Sequence, residues 1–476
     1  MSKAQAILTH TVIQIISKGL NIALGLAAFS LLTQYLGQEG FGQYTIITTF
    51  LGIFGVMADM GLSIIAIQMM SEQPEKEGDI FNTVLSIRIV TALIALGIAP
   101  FIALLFPYTG IVKVGIALTF LSFFFSSLIQ LFTALFQQRV AMVFPSYADA
   151  VGRLILLGGV IAAMVFHRGL YEILIITVLA NATQCLLLYI KARKIFPITI
   201  AIDRAIARDV FTRSWPIALS VTFNLIYLKA DILILSLFRP EGDVGLYGAS
   251  YRILEVLVTI PMMFMGITLS SFANAWAQKD YARFSRYLQK SFDAMIIIAV
   301  PLVVGTIIVA PDLMTFISGK EFAVSGQILR ILIVASGMVF VGTLFGHLIN
   351  IINAQKTMLW GYAAGAIGGL VGYLIFIPLF SFWGAAWMTV VTEGAIMVIG
   401  FIVFYRRTHL RPKLKRLPAI IAASGIMGLL VWFSSTHLPL LIVLLIGIIS
   451  YPLVLLLLKG ISIHEVRLLL PSKKSL

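Results

Sequence analysis

Residues 80–106 read IFNTVLSIRIVTALIALGIAPFIALLF, an apolar stretch in which Arg88 is the one charged side chain. About 20 consecutive apolar residues are enough for an α-helix to cross the roughly 30 Å hydrocarbon core of a bilayer. A charge within that core is costly, so such a residue normally faces water, a partner or a transport pathway. This stretch therefore indicates the fold class and a place to look for function.

The rest of the chain has the same character. Of its 476 residues, 60% are hydrophobic and 11% are charged, and the mean hydropathy is +1.02. A soluble domain of this length would need more charge to cover its surface. The sequence therefore predicts an all-α polytopic membrane protein with fourteen transmembrane helices. The predicted spans are 10–35, 41–69, 80–106, 111–136, 143–166, 170–192, 213–238, 245–272, 291–316, 322–352, 356–380, 382–405, 417–436 and 438–459.

Basic residues are distributed unevenly between the two sides that these spans define. With the N-terminus in the cytoplasm, the inside segments hold 24 of the 34 Lys and Arg residues. The outside loops hold four, Lys113, Arg168, Arg239 and Lys320. Cytoplasmic loops of membrane proteins carry such an excess. We therefore expect a multi-pass protein of the cytoplasmic (inner) membrane with both termini in the cytoplasm.

Short motifs recur in the same order in the two halves of the chain. Residues 41–44 (FGQY) return 203 residues later as 244–247 (VGLY), and a Gly, a Thr and a Pro within 169–197 return 215 residues later. The repeat predicts two pseudo-symmetric six-helix lobes that enter the membrane from the same side, followed by two unpaired helices. The predicted domains are an N-lobe at 1–200 with helices 1–6, a C-lobe at 201–412 with helices 7–12, and 413–476 with helices 13–14 and a cytoplasmic tail.

The predicted C-lobe also contains an amphipathic segment near 273–290. Lys279, Arg283, Arg286 and Lys290 recur at helical spacing beside a parallel stripe of apolar and aromatic residues. This pattern predicts an interfacial helix that lies on the anionic cytoplasmic leaflet. The alternative interpretation is a solvated extension of the ninth helix.

Helix eleven carries a different pattern, with Gly361, Gly365 and Gly369 at four-residue spacing. Small residues at this spacing allow two helices to approach closely. We interpret the three glycines as a packing surface.

Six basic residues lie inside predicted spans: Lys18, Arg88, Arg153, Lys229, Arg252 and Arg330. Arg153 has Asp149 one turn earlier and Arg252 has Glu255 three residues later, so an ion pair within the helix is as good an interpretation of either as a ligand contact. The other four have no such partner on the same helix face, although the long side chains of Lys18 and Arg88 could also extend to the membrane boundary.

Lys229 is the deepest of these cations and is the best single candidate for a contact with cargo. Because a cationic surface inside a membrane suits an anionic ligand, we expect most of the set to line one connected cavity between the lobes. The predicted substrate-binding residues are Lys229, Arg252, Arg88, Lys18 and Arg330.

Three buried acidic residues, Asp59, Asp231 and Glu393, lack a basic partner on the same helix face. An intramembrane carboxylate is a candidate for coupling transport to a proton or another cation. We therefore predict that ion coupling, where it exists, uses one of these three.

Enzymatic functions find little support in the sequence. The ATP-binding pattern G-x-x-x-x-G-K-[ST] and the zinc pattern H-E-x-x-H are absent, and Cys185 is the single cysteine. External loops of about four to nine residues are too short to build a catalytic site with carboxylates. We expect a protein without enzymatic activity, cofactor or bound metal.

Several motifs resemble a known family. Residues 36–44 (LGQEGFGQY) and 58–62 (ADMGL) look like the opening of polysaccharide-biosynthesis membrane proteins, the Wzx-type oligosaccharide-lipid flippases. The second half agrees through 229–231 (KAD), 244–247 (VGLY), 318–322 (SGKEF) and 384–386 (GAA), with Glu393 after them. The resemblance covers about residues 10–405. It departs where members often carry Arg shortly before the first Leu-Gly, because this chain has Gln34 and Tyr35 there.

The resemblance implies the fold of the multidrug/oligosaccharidyl-lipid/polysaccharide exporter superfamily, with two six-helix lobes around a central cavity. It also implies the cargo, an undecaprenyl-pyrophosphate-linked oligosaccharide that moves from the cytoplasmic to the outer leaflet for cell-surface polysaccharide assembly. Other assembly proteins are expected partners, and nucleic acid is not. The alternatives are a peptidoglycan-precursor lipid flippase, a cation-coupled multidrug antiporter of the same superfamily, and a nonenzymatic scaffold of a glycan assembly complex.

Overall fold

A computed structural model describes the backbone of residues 3–139 and 141–461, and their side chains except at 3–18, 216–217, 219–220 and 222–228. No strand occurs in this part of the chain. The helices are α1 (Lys3–Asp59), α2 (Leu62–Glu72), α3 (Glu77–Leu104), α4 (Gly110–Gln138), α5 (Val143–Val165), α6 (Leu170–Ala192), α7 (Arg204–Phe238), α8 (Glu241–Ala277), α9 (Tyr281–Ser318), α10 (Ala323–Ile351), α11 (Gln355–Thr408), α12 (Leu417–Ser435) and α13 (Leu440–Leu457), with short 3₁₀ helices at Pro74–Lys76 and Lys320–Phe322.

The chain divides into two compact units, unit 1 (Met1–Gly245) and unit 2 (Leu246–Leu476). Unit 1 holds α1 to α7 and the first turn of α8, and its buried core includes Phe81 and Phe132. Unit 2 holds the rest of α8 and α9 to α13, and its core includes Phe284 and Phe340. The lobe boundary at residue 200 rests on the internal repeat and stays a prediction.

Eleven helical segments of the described residues are long and apolar enough to cross a membrane. Two of them, Gly19–Glu72 and Gln355–Thr408, are 54 residues long. A helix of that length would extend roughly 80 Å, more than twice the hydrocarbon thickness, so each must bend or be interrupted. The multi-pass, all-helical architecture thus agrees with the sequence, whereas the count of fourteen spans stays a prediction.

Both long segments contain a kink at a place where the sequence predicts a gap between spans. In α1 the kink lies at Gly37, whose φ of 66° is a left-handed conformation that glycine adopts without steric cost. It falls between the predicted spans 10–35 and 41–69. In α11 the kink lies at Ser381, between the predicted spans 356–380 and 382–405.

The two parts of α11 on either side of Ser381 pack against each other through glycines. A Cβ atom added to Gly365 would meet the side chain of Ile396 at 2.5 Å, and one added to Gly384 would collide with the backbone carbonyl of Phe376. Glycine at such positions lets helix backbones approach closely. The interpretation of the helix-eleven glycines as a packing surface is confirmed.

Residues 273–290 are divided between two helices. α8 ends at Ala277, and α9 begins at Tyr281 after a turn in which Lys279 has a φ of 57° and the Asp280 side chain accepts a hydrogen bond from the Arg283 backbone N–H. Phe284 and Leu288, from the predicted apolar stripe, are fully buried in the core of unit 2. Part of the apolar stripe therefore packs in the core of unit 2, whereas the placement of the basic stripe on the membrane surface stays a prediction.

We predict that Gly384→Ala destabilises unit 2, because the new methyl group has to displace backbone rather than a flexible side chain. Overpacking of this kind costs roughly 1–3 kcal/mol. The midpoint of thermal unfolding in detergent should therefore fall. Gly368→Ala on the same helix is the matched control, since nothing lies within 4 Å of its added Cβ. Equal midpoints for the two variants would contradict the packing argument.

Candidate functional site

Among the described side chains of unit 1, the most buried charge is that of Arg88 on α3, whose side chain is 0% exposed. Its guanidinium forms an ion pair with the carboxylate of Asp59. It also donates to the backbone carbonyl of Ser127 from two nitrogens, at 3.3 and 3.2 Å, and to the Gln130 side-chain oxygen at 3.3 Å. A buried arginine is tolerated when its charge is neutralised and its donors are used. Both conditions hold here, so Arg88 joins α1, α3 and α4.

Asp59 has a second role at the break between α1 and α2. The chain takes positive φ at Met60 and Gly61, 46° and 76°, and then begins α2 at Leu62. The Asp59 carboxylate accepts hydrogen bonds from the Gly61 backbone N–H at 3.2 Å and from the Ser63 backbone N–H and hydroxyl at 3.3 and 2.8 Å. One carboxylate therefore caps the first turn of α2 and neutralises Arg88.

This pair adds a partner for each residue on another helix: Arg88 has a carboxylate partner and Asp59 has a basic one. The sequence analysis compared residues only within one helix, whereas these two lie 29 positions apart. A depth comparison would have found the pair. Asp59 lies ten residues before the end of predicted span 41–69 and Arg88 eight residues after the start of predicted span 80–106. At about 1.5 Å per residue both lie roughly 12 to 15 Å from the same side.

Two predicted substrate-binding cations lie in unit 2, and they differ in whether a carboxylate neutralises their charge. Arg252 on α8 donates to Glu255 at 2.9 Å, as the i,i+3 spacing predicted. Arg330 on α10 donates to the backbone carbonyl of Ile307 at 2.8 Å and to the side-chain oxygen of Gln327 at 2.9 Å. Within the described residues Arg330 has no carboxylate partner. Its hydrogen-bond donors are thus used while its charge is not neutralised.

The remaining predicted cations and carboxylates lie on α1, α7 and α11. Lys229 is half-buried on α7, and Asp231 is buried at 1% exposure two residues later. Both take part in interactions with other residues, as does Glu393 on α11, so none is an isolated charge. The side chain of Lys18 lies outside the described residues.

Two further results concern groups that the sequence singled out. Arg153 pairs with Asp149 at 3.1 Å, which confirms that prediction, and Asn21 donates to the same carboxylate at 2.7 Å. Among the described residues no group of three or more His, Cys, Asp and Glu side chains could hold a metal ion.

We predict that Asp59→Asn strongly destabilises unit 1, because it leaves the charge of Arg88 buried without compensation. Breaking a buried ion pair from one side costs about 3–5 kcal/mol. The double variant Asp59→Asn/Arg88→Gln removes both charges. It should recover most of the wild-type midpoint of thermal unfolding and most of the wild-type amount of protein in the membrane. Asp149→Asn, which affects a half-exposed pair, should cost about 1 kcal/mol or less. An Asp59→Asn protein as stable as wild type would exclude this role.

Comparison with known proteins places this chain in a family. The family described as "Polysaccharide biosynthesis protein" matches residues 31–327, more than half of the chain. A curated relative, the probable low-salt glycan biosynthesis flippase Agl15 of Haloferax volcanii, is 21% identical over 197 residues, which make up 40% of this chain and 41% of that protein. The chain thus matches less than half of the relative's length.

Solved structures agree on the fold. The lipid II flippase MurJ in an inward closed conformation superposes with a TM-score of 0.78 at 15% identity, covering 94% of this chain and 98% of that one. An inward-facing multidrug resistance MATE family transporter of the MOP superfamily gives 0.68 at 15% identity, covering 82% of this chain and 94% of that one. The chain therefore belongs to the polysaccharide biosynthesis protein family and has the multi-pass helical fold shared by these flippases and transporters.

Proposed function

We propose that this protein flips a lipid-pyrophosphate-linked oligosaccharide from the cytoplasmic to the outer leaflet by alternating access. Family membership and fold support a membrane flippase or transporter. We further propose fourteen spans in two six-helix lobes around a central cavity, with two C-terminal helices, in a cytoplasmic membrane with both termini in the cytoplasm. Other polysaccharide assembly proteins would supply and receive the glycan.

The main support for an anionic cargo comes from Arg330. This residue lies in a candidate membrane span, donates hydrogen bonds to neutral acceptors and pairs with no carboxylate within the described residues. A lipid pyrophosphate loses hydration when it enters a low-dielectric region, and fixed positive charges offset that cost. A cation already neutralised by a carboxylate offers much less. Arg330 therefore suits an anionic headgroup better than a cationic drug.

We propose that Lys229, Arg330 and Lys18 contact the pyrophosphate during transit, and that Arg252 does so when its pair with Glu255 separates. Arg88 has a different place in this proposal, since its donors are occupied and its side chain is buried. It holds the helices in position, and it reaches cargo only if the pair with Asp59 separates.

We predict that Lys229→Ala fails to complement a strain that lacks its glycan-lipid flippase, while it reaches the membrane in normal amounts. A charge-assisted hydrogen bond to phosphate contributes about 1.5–3 kcal/mol, so its loss should slow transport by roughly tenfold or more. Lys229→Arg should retain activity because the positive charge remains. Lys413→Ala, at an exposed residue of the α11–α12 connection, is the matched control. Normal complementation by Lys229→Ala would remove this residue from the cargo path.

We also propose that an intramembrane carboxylate, Asp59, Asp231 or Glu393, couples transport to a cation gradient. Asp231→Asn in proteoliposomes should flip a fluorescent pyrophosphate-linked glycan lipid at a rate that no longer responds to an imposed pH or sodium gradient. Glu255→Gln, whose carboxylate pairs with Arg252, should keep the wild-type response. If Asp231→Asn and Glu393→Gln both respond like wild type, these two residues do not couple transport.

A further inference from the structure

A polar cluster joins three segments of unit 1 that the predicted topology places on the external side. The segments are residues 38–43 of α1, the α3–α4 connection at 105–109, and residues 239–245 at the start of α8. All three lie within unit 1. The sequence analysis predicted no functional role for the polar residues of these segments.

Glu241 is the centre of this cluster. One of its carboxylate oxygens accepts a hydrogen bond from the Gln43 side-chain amide at 2.6 Å, and the other accepts one from the Thr109 hydroxyl at 2.5 Å. Gln43 is buried, with 7% of its surface exposed. We call Gln43, Thr109 and Glu241 the external latch, because one carboxylate holds all three segments. Next to it, the Tyr108 hydroxyl and the Ser236 hydroxyl form a buried hydrogen bond of 3.0 Å.

The backbones of α1 and the first turn of α8 touch beside the latch. A Cβ atom on Gly42 would collide with the carbonyl oxygen of Glu241, and one on Gly245 would collide with that of Gln38. Gly42 and Gly245 are the matching glycines of the repeated motifs FGQY and VGLY. The repeat therefore supplies a close helix crossing in which no side chain separates the backbones.

The latch also borders a cavity of about 590 Å³ whose walls include Glu39, Ile46, Tyr108, Ser236 and Arg239. Thr109 and Glu241 are partly accessible, so water can replace their hydrogen bonds when the segments separate. The arrangement thus combines a close backbone contact with side-chain hydrogen bonds that water can replace.

We propose that Glu241 is a positioning residue of the transport cycle, which closes the external end of unit 1 and releases Gln43 and Thr109 when cargo leaves on that side. The identity of the cargo rests on the proposed function, whereas the closure itself does not. Loss of hydrogen bonds to a carboxylate moves a two-state equilibrium by about tenfold or more. Removing the Glu241 carboxylate should therefore raise the open population by that factor.

The test measures external accessibility of the cavity. Ile46 lines the cavity, is 2% exposed and has an apolar side chain, so Ile46→Cys in a Cys185→Ala background is a suitable reporter. Intact cells are treated with a membrane-impermeant maleimide. Adding Glu241→Ala should speed labelling about tenfold, and Glu241→Gln should restore protection because its amide can bond both partners. Glu39→Ala is the matched control, since Glu39 lines the same cavity but its side chain makes no hydrogen bond among the described residues.

Three outcomes would overturn the proposal. Unchanged labelling in Glu241→Ala would show that the latch does not control access. Labelling that requires permeabilised cells would place the latch, and the predicted topology, on the wrong side. Labelling of the buried native Cys185 in a Glu241→Ala protein without the reporter would show that unit 1 loosens as a whole. A wild-type protein that moves no glycan would remove the proposed cargo and leave these measurements valid.

Discussion

The ion pair between Arg88 and Asp59 is the interaction on which much of unit 1 depends. An arginine without exposed surface has to be neutralised and fully hydrogen-bonded, and this requires acceptors from several helices at once. The Asp59 carboxylate, the Ser127 carbonyl and the Gln130 side chain supply them. Because Asp59 also caps α2, the break at Met60 and Gly61 is fixed relative to α3 and α4.

The sequence predicted the architecture well because membrane burial depends on composition over long windows. Apolar stretches of about 20 residues, separated by gaps that contain polar residues or glycine, mark spans whatever their neighbours are. The kinks at Gly37 and Ser381 accordingly lie in predicted gaps. The four-residue spacing of the helix-eleven glycines was similarly informative, because close packing needs small residues on one face.

Pairing between helices was harder to predict. A search within one turn finds Asp149 for Arg153 and Glu255 for Arg252, both of which the structure contains. It misses Asp59 for Arg88, since that contact depends on which helices are neighbours and at what depth. The segment 273–290 likewise makes contacts that depend on residues distant in the sequence. Its basic and apolar stripes suit either a membrane surface or a protein core, and the core residue Phe404, which stacks on Phe284, lies far along the chain.

Under the proposed function, neutralisation by a carboxylate, rather than the total number of basic residues, would decide which cations can act on an anionic cargo. A carboxylate partner turns an arginine into a dipole whose field falls off quickly, and this describes Arg88, Arg153 and Arg252. A carbonyl or amide oxygen satisfies hydrogen bonds but leaves the net charge, which is the situation of Arg330. In a medium of low dielectric constant such a charge acts over a longer range than in water. For the proposed anionic cargo, the cations that matter are therefore those that keep their charge inside the membrane, as Arg330 does among the described residues.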